Sequence, residues 1–527
     1  MKKILLFLLF LFNLSFLLSQ NLKELKILHW NDFHSANLPF KATKKEIPEL
    51  HDSISFIGGY AYLSSYINKY KDTNTITLHA GDDFQGSPSS TVTKGKSQID
   101  ILNLILPDAF TIGNHEFDYS LDTLLKHLKY SEFNVINCNL IDKETKNNIF
   151  KPYQIFERNG IKIAVIGVIT RDLVTLTLKD NIKNITILKE IPSIRKYIKE
   201  ISESEKPDIF VLLSHCGYED DIIIADSIPE LSVIIGGHSH TKIKNPKKEN
   251  RTIICQAGEK GKYLGVLDLK IDVDGDSVYS FDGKLVPTIN DEITPDSIVS
   301  NKINEIESES LKGLNEVIGV LKSDWIRSHD KESNIGNWMS DVIRDFTKAD
   351  IAFQNSGGIR KNLSAGNITI RDIWEIAPFD NTIVYFKIRG DSVKKLIEHQ
   401  LNGFTEKLQV SGLKYKYDDR RPLNERLVEV KINGKKLNPK RYYIIATNNY
   451  VASQGKKYFG FNINPSIITD TQKEGKELFI EYVKKQKVID FTEAIAKMSH
   501  EIMFCKKCHN VSDADLCIIC NNPNRNY

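Results

Sequence analysis

Residues 111–118, Thr-Ile-Gly-Asn-His-Glu-Phe-Asp, place an amide, an imidazole and two carboxylates directly behind a short apolar run. A run that ends in glycine and then Asn114 and His115 reads as a strand end followed by a loop, which is where sites sit on α/β folds. Taken alone, the motif serves equally well as a polar turn in which His115 caps a neighbour. Four further clusters tip that balance: Asp32 and His34 in Trp30-Asn-Asp-Phe-His34, Asp82 in Gly81-Asp-Asp-Phe-Gln-Gly86, His215 in Leu213-Ser-His-Cys-Gly217, and His238 with His240 in Gly236-Gly-His-Ser-His240. Each follows residues rich in Ile, Leu or Val, at 25–28, 75–78, 209–213 and 233–235. Five strand ends therefore present metal-type ligands. Two cations about 3.5–4 Å apart can polarise a phosphoryl oxygen and deprotonate a bridging water, which takes roughly eight O and N ligands with one carboxylate shared. Imidazole, carboxylate and amide donors without thiolate suit Zn, Mn, Fe or Co better than a Cys-built structural zinc site.

In this order, the five motifs resemble the calcineurin-like metallophosphoesterase domain of the 5′-nucleotidase family, whose bacterial members include periplasmic UDP-sugar hydrolases and cyclic phosphodiesterases. The likeness runs from about Lys26 to the 280s. It implies two divalent metal ions, Zn, Mn or Co, one held by Asp32, His34 and His240 and the other by Asn114, His215 and His238, with Asp82 bridging them. His115 would be the catalytic histidine and Asp118 its orienting carboxylate. The chemistry agrees, because a histidine near the leaving oxygen can stabilise charge or supply a proton while an acidic partner fixes its tautomer. Some family members carry an amide side chain at the position of His240. Both groups ligate, so that difference bears on metal preference.

The elements that must position these residues alternate. Apolar strand-like runs are interleaved with amphipathic segments at 60–70, 121–129 and 191–201, the pattern of an α/β layered fold. Residues 161–168 form a continuous apolar run and read as a buried strand. Segments 264–271 and 277–286 bracket Asp274-Gly275, a hairpin signal that closes a first domain at 21–286. The resemblance implies a four-layer metallophosphoesterase β-sandwich flanked by helices, a linker helix, and a second α/β nucleotide-binding domain. Between 287 and 316 the chain turns polar, with few large apolar residues from 300 to 314. This reads as a linker carrying one exposed helix, the alternative being a surface helix of a single larger domain.

Past the linker, Glu332-Ser-Asn-Ile-Gly-Asn337, Asn355-Ser-Gly-Gly-Ile-Arg360 and Ala377-Pro-Phe-Asp-Asn381 stand out. Glycine pairs beside an arginine let backbone amides approach an anion while the guanidinium pairs with phosphate. A tight turn with a surface arginine would look the same. In this order the signals resemble the family's C-terminal nucleotide-binding domain over 317–488. By that resemblance Asn355, Gly357, Gly358 and Arg360 line the nucleotide pocket, and Phe379 and Tyr450 sandwich the base. Stacking contributes about 1–3 kcal/mol per base with little discrimination among bases. Phe379 could equally be a core residue.

Two departures from the family pattern stand out. Where the family carries an acid that meets ribose hydroxyls, this chain has Lys456, in Gln454-Gly-Lys-Lys-Tyr458. A lysine donates but cannot accept, so ribose recognition is altered or absent. The family's arginine ahead of Glu332 is also missing, and Arg327 or His329 would have to replace it.

The chain has 527 residues, 41% of them apolar, enough for two or more domains, and its net charge of +3 implies no field for a polyanion. No nucleic acid partner is expected for the main body, and nothing in the sequence fixes an oligomeric state. Met1-Lys-Lys followed by the apolar residues 4–18 has the basic and apolar regions of a secretory signal over 1–20. A membrane anchor is the alternative, but the run is shorter than the roughly 20 residues of a span. The mature protein is therefore expected to be secreted or periplasmic. Cys505, Cys508, Cys517 and Cys520 crowd the tail, 489–527, as two Cys-x-x-Cys pairs. Four thiolates can close a tetrahedral structural zinc site, whereas an oxidising compartment would favour two disulfides. The tail resembles the zinc finger of RecR-type recombination mediators, and we read it as a fusion or gene-structure artefact dispensable for hydrolysis.

The expected function is exported, dinuclear-metal hydrolysis of 5′-nucleotides or related nucleotide phosphoesters. The alternatives are a 2′,3′-cyclic-nucleotide phosphodiesterase, a UDP-sugar or dinucleotide pyrophosphatase, and, from another class, a non-catalytic or DNA-binding protein led by the finger.

Overall fold

Parallel strands buried on both faces must be apolar along their whole length, and the aliphatic runs of this chain become such strands. The computed structural model describes residues 21–310, 312–490 and 498–500. The chain divides into two units, residues 1–312 and 313–527. The leader at 1–20 and the cysteines Cys505, Cys508, Cys517 and Cys520 lie outside the described residues.

The first unit holds two six-stranded sheets. One runs Ser277–Pro287, Tyr263–Asp272, Leu22–Trp30, Thr75–His79, Ala109–Thr111, Asn134–Ile136. Leu22–Trp30 pairs parallel with Thr75–His79, which continues parallel into Ala109–Thr111 and Asn134–Ile136, while the hairpin Tyr263–Asp272 and Ser277–Pro287 closes the other side antiparallel. The second sheet runs Lys247–Glu249, Thr252–Cys255, Leu231–Gly236, Ile209–His215, Ile161–Ile169, Tyr153–Arg158. Its four inner strands are parallel and both edges antiparallel.

Ile27, Leu78 and Ala109 from the first sheet meet Val165, Val211 and Val233 from the second in one buried aliphatic layer. Burying a Val, Leu or Ile side chain stabilises by about 1.5–3 kcal/mol, so this layer clamps the sheets face to face. Helices Tyr60–Tyr70, Lys96–Ile105 and Leu121–Leu128 bury Leu63, Ile101 and Leu124 on the outside of the first sheet. Glu190–Ser204 and Tyr218–Ser227 bury Ile194, Ile198 and Ile224 on the outside of the second. The result is the four-layer arrangement of helices, sheet, sheet and helices. Cys138, Cys216 and Cys255 are buried thiols in these layers.

One element differs from its sequence reading. The helix predicted as exposed spans Ser297–Ser310 and buries Val299, Ile303 and Ile306 in the core beneath the first sheet's helices. These three lie at i, i+4 and i+7, one face of a helix, so a stripe too sparse to stand out is enough to dock it.

In the second unit a five-stranded sheet runs Leu408–Ser411, Ile351–Asn355, Tyr442–Asn448, Thr382–Arg389, Thr469–Glu474. Helix Gly390–Leu401 buries Val393, Leu396 and Ile397 against Phe353 and Phe386, while Asn334–Thr347 and Gly475–Gln486 supply Trp338, Met339, Val342, Leu478 and Phe479 to a second core. Among the described residues no helix is long and apolar enough to cross a membrane.

Candidate functional site

Every sequence-predicted ligand of the first unit stands at the carboxyl end of a parallel strand, the end at which open α/β sheets bind ligands. Asp32 and His34 follow Leu22–Trp30, Asp82 follows Thr75–His79, and Asn114 follows Ala109–Thr111. His215 ends its strand, and His238 and His240 follow Leu231–Gly236. Because the two sheets face each other, five loops distant in sequence converge. Three groups, Asp32 with His34 and His240, His34 with Asp82 and His115, and Asp82 with His215 and His238, each bring their ligand atoms within 4.8 Å of one another. Asn114 joins the third group, its Oδ1 2.9 Å from His238 Nδ1 and 3.3 Å from His215 Nε2.

The hydrogen bonds around these groups decide which atoms face inward. His215 Nδ1 donates to the Ala80 carbonyl at 2.6 Å, which turns Nε2 inward, 3.2 Å from Asp82 Oδ2. His34 Nδ1 lies 3.2 Å from the Gln85 carbonyl, which turns Nε2 inward, where it meets His240 Nε2 at 2.9 Å. Two imidazole nitrogens this close, with carboxylates alongside, form a donor set that a divalent cation satisfies. His240 Nδ1 is 3.2 Å from Glu259, and Asn31 donates to Asp32 at 2.6 Å.

Burial and charge pull these groups apart. Burial raises the Asp32 carboxyl, and the neighbouring Asp82 adds to the rise against the opposing pull of His240 and His215. Burial also opposes the ionisation of Asp82, but His215, His115 and His34 outweigh it and hold that carboxyl well below its ordinary value. His215 is pushed up to about 10, its loss of solvent outweighed by Asp82. His238 is pushed down to about 3 by burial and by His215. Asp82 thus stands as a buried carboxylate among imidazoles, a place where a cation finds ligands of both kinds.

Backbone geometry carries part of the cost. Asp32, His34, Asp82, His238 and His240 take φ of 48°, 52°, 61°, 76° and 54°. Left-handed backbone at non-glycine residues costs roughly 1–3 kcal/mol each and persists where the surroundings impose it. Gly81 is needed between two of these loops: a Cβ there would stand 2.7 Å from Gly113 N and 2.9 Å from His215 Nδ1.

His115 and Asp118 are also brought together, Nδ1 lying 2.8 Å from Asp118 Oδ2, while the His115 N–H donates to Asp82 Oδ1 at 2.8 Å. Asn181 Nδ2 donates to the carbonyls of Phe117 and Asp118 at 2.9 and 2.8 Å, bracing that turn. Sequence reasoning missed Asn31, Glu116, Asn181 and Glu259. Asn31 and Glu116 had a signal, as polar residues within the motifs themselves.

In the second unit, Asn355 ends Ile351–Asn355, and the turn Ser356–Gly358 leads to Arg360. Asn355 Oδ1 accepts from Asn448 Nδ2 at 3.0 Å, and the Arg360 guanidinium lies 5.9 Å from the Phe379 ring centre. Gly358 and Phe379 line one cavity of about 20 Å³ with Gln354, Asn448 and Lys476. Tyr450 meets Tyr458 edge-on at 6.1 Å. Arg327 Nη1 donates to the Ile359 carbonyl at 3.1 Å, which puts this guanidinium at the same turn as Arg360. Lys456 is exposed. The amide of Gly357, expected to meet an anionic ligand, donates instead to the Glu406 carboxylate.

Residues 25–242 match the calcineurin-like phosphoesterase family and residues 317–462 the 5′-nucleotidase C-terminal domain. The chain is 30% identical over 536 residues to an apyrase of Tabanus yao, covering 89% of this chain and 92% of that protein. To protein UshA of Yersinia enterocolitica it is 26% identical over 530 residues, with coverage of 89% and 92%. The structure of a 5′-nucleotidase precursor from Thermus thermophilus superposes with a TM-score of 0.81 at 25% identity, over 91% of this chain and 99% of that one. Sharing both halves with these proteins, in the same order and over nearly their full lengths, the chain belongs to the 5′-nucleotidase family of metallophosphoesterases.

Proposed function

We propose that this chain hydrolyses nucleoside 5′-phosphates and related nucleotide esters to nucleoside and phosphate, with two divalent cations and after export from the cytoplasm. The observation that supports it most is the convergence of Asp32, His34, Asp82, His215, His238 and His240 into overlapping groups with ligand atoms within 4.8 Å. Asp32, His34 and His240 would hold one cation, Asn114, His215 and His238 the other, and Asp82 both. The donors, mixed imidazole, carboxylate and amide, suit Zn, Mn or Co. When bound, such cations polarise the phosphoryl group and acidify the attacking water.

The chain's own residues do the rest. The carboxylate of Asp118 keeps the proton of His115 on Nδ1, so Nε2 is the atom through which His115 exchanges a proton with the leaving oxygen. Asn114 and Asp82 fix the turn that carries it. The second unit binds the nucleoside part, with Phe379 and Tyr450 as stacking faces and Asn355, Gly358 and Arg360 around them. The apolar leader supports secretion or a periplasmic location, and any zinc that Cys505, Cys508, Cys517 and Cys520 would hold is incidental to turnover.

The test is steady-state hydrolysis of 5′-nucleotides, 2′,3′-cyclic nucleotides, UDP-sugars and a dinucleotide by the metal-reconstituted chain, with and without chelator. We expect the 5′-nucleotides to be turned over fastest and chelation to abolish turnover. His115→Ala should lower kcat by about a hundredfold, within the range for a lost acid–base group, at unchanged metal content. A chain inert toward every phosphate ester, or fully active in chelator, would refute the reading. Metal loss in His115→Ala would move that residue into the ligand set.

A further inference from the structure

Glu406 lies against the glycine turn of the second unit, and nothing about its sequence context singled it out. Its carboxylate accepts from the Gly357 N–H and from the Tyr458 hydroxyl, so it joins the glycine turn to the helix Gly455–Phe459. Tyr458 in turn lies edge-on against Tyr450. The backbone on both sides of Glu406 is pinned. Lys407 N–H donates to the His329 carbonyl at 2.9 Å, and the Lys407 carbonyl accepts from Ser356 N–H and Oγ at 3.2 and 2.6 Å. Thr405 Oγ1 donates to the Glu406 carbonyl at 3.3 Å and accepts from Gln400 Nε2 at 3.2 Å. The fold therefore holds this carboxylate in place instead of leaving it to swing with a surface loop.

A carboxylate offers about four acceptor sites and no donor. Gly357 and Tyr458 take one on each oxygen, which leaves one on each, side by side. Two adjacent acceptors match the two donors of a vicinal diol. The same charge repels a phosphate. The only other charged side chain of the stretch around Tyr458 is lysine, at Lys456 and Lys457, and lysine cannot accept.

We propose that Glu406 accepts the ribose 2′- and 3′-hydroxyls of the substrate, and so selects nucleotides with a free diol over those deoxygenated or phosphorylated on that side of the sugar. The inference rests on the nucleotide-hydrolase reading above. It makes Glu406 a specificity residue, distinct from the reacting centre.

Glu406→Gln separates this role from a purely structural one, because glutamine keeps an oxygen for the Gly357 N–H while losing the charge and an acceptor. The measurement is kcat/KM for AMP and for 2′,3′-dideoxy-AMP in both proteins, taken as a ratio within each so that the amount of folded enzyme cancels. We expect AMP to be favoured about 10–100-fold in the wild type, as for hydroxyls bound by a charged acceptor, and roughly threefold or less in Glu406→Gln, with the change in KM. Adenosine 3′,5′-bisphosphate should inhibit the variant more tightly than the wild type, which a structural role alone would not produce. Equal ratios in the two proteins, a wild-type ratio near one, or unchanged inhibition would overturn the proposal. If the wild type hydrolyses no nucleotide at all, this proposal and the reading beneath it fail together, whereas AMP turnover with an unchanged ratio removes only the role of Glu406. Should Glu406→Gln not fold, Glu406→Asp, which withdraws the charge by one methylene, is put through the same comparison.

Discussion

Asp221 shows how a single side chain near the centre ties stability to pH. It is fully buried, with Oδ1 accepting the Ser214 hydroxyl at 2.5 Å and Oδ2 without a hydrogen-bond partner. Burial pushes its carboxyl up from 3.8 to about 7. A carboxyl raised on folding binds its proton more tightly in the native state, so its stabilising contribution is complete below the unfolded value of 3.8 and is lost as pH rises through about 7. An amide of the same shape has no such dependence. Asp221→Asn should therefore gain on the wild type between pH 5 and pH 8 by roughly 2–3 kcal/mol, at 1.36 kcal/mol per pH unit from pH 5 to about 7 and nothing further above it. Chemical denaturation of both proteins at the two pH values measures the gain, and a constant difference would show that Asp221 is ionised in the native state throughout.

Between elements, the agent that locks two ligand loops together is Glu116, on the short turn His115–Phe117. Its carboxylate accepts four backbone N–H groups, those of Asp82 at 3.0 Å, Asp83 at 2.7 Å, Phe84 at 3.2 Å and Gly113 at 2.7 Å. The loop after Thr75–His79 is thereby fastened to the loop after Ala109–Thr111. Glu116→Gln retains only one accepting oxygen, leaving buried amides without a partner at about 1–3 kcal/mol each. We expect a loss of roughly 2–4 kcal/mol in stability and a 10–100-fold weaker cation affinity, the range for groups that orient ligands. Denaturation and metal titration read the two effects, and full metal affinity in a destabilised variant would confine Glu116 to the fold. The strands and the residues that converge at their ends were legible because parallel strands announce themselves as unbroken apolar runs and His or Asp at their ends is out of place. Glu116 was not assigned a role, since a carboxylate that serves backbone amides looks like any polar turn residue. Glu406 was hidden for the same reason in Asn402-Gly-Phe-Thr-Glu406. Helix Ser297–Ser310 misled because three buried apolar residues suffice to dock it while polar and charged ones together dominate its composition.

At the scale of the molecule, each buried cluster among the described residues draws on one unit alone. The aliphatic layer between the sheets and the helical layers outside them draw only on the first unit, whereas Phe353, Phe386, Trp338 and Phe479 belong to cores made wholly within the second. All seven proposed metal ligands, with His115 and Asp118, lie in the first unit, and all five residues proposed for the nucleotide pocket, with Glu406, lie in the second. Each unit also exceeds the size at which a single core supports independent folding. Residues 21–312 alone should then fold cooperatively, bind two cations and hydrolyse p-nitrophenyl phosphate. For a small aryl ester, binding to the second unit contributes little to transition-state stabilisation, so its kcat/KM should lie within about tenfold of that of the whole chain. AMP has a nucleoside to be held, and losing the pocket removes binding energy that the reacting centre cannot replace. Its kcat/KM should fall by about a hundredfold or more, until AMP and the aryl ester are hydrolysed with similar efficiency. If the isolated first unit still preferred AMP as strongly as the whole chain does, nucleoside recognition would have to be sought among the loops around Asp32 and His115, and the second unit would need another purpose.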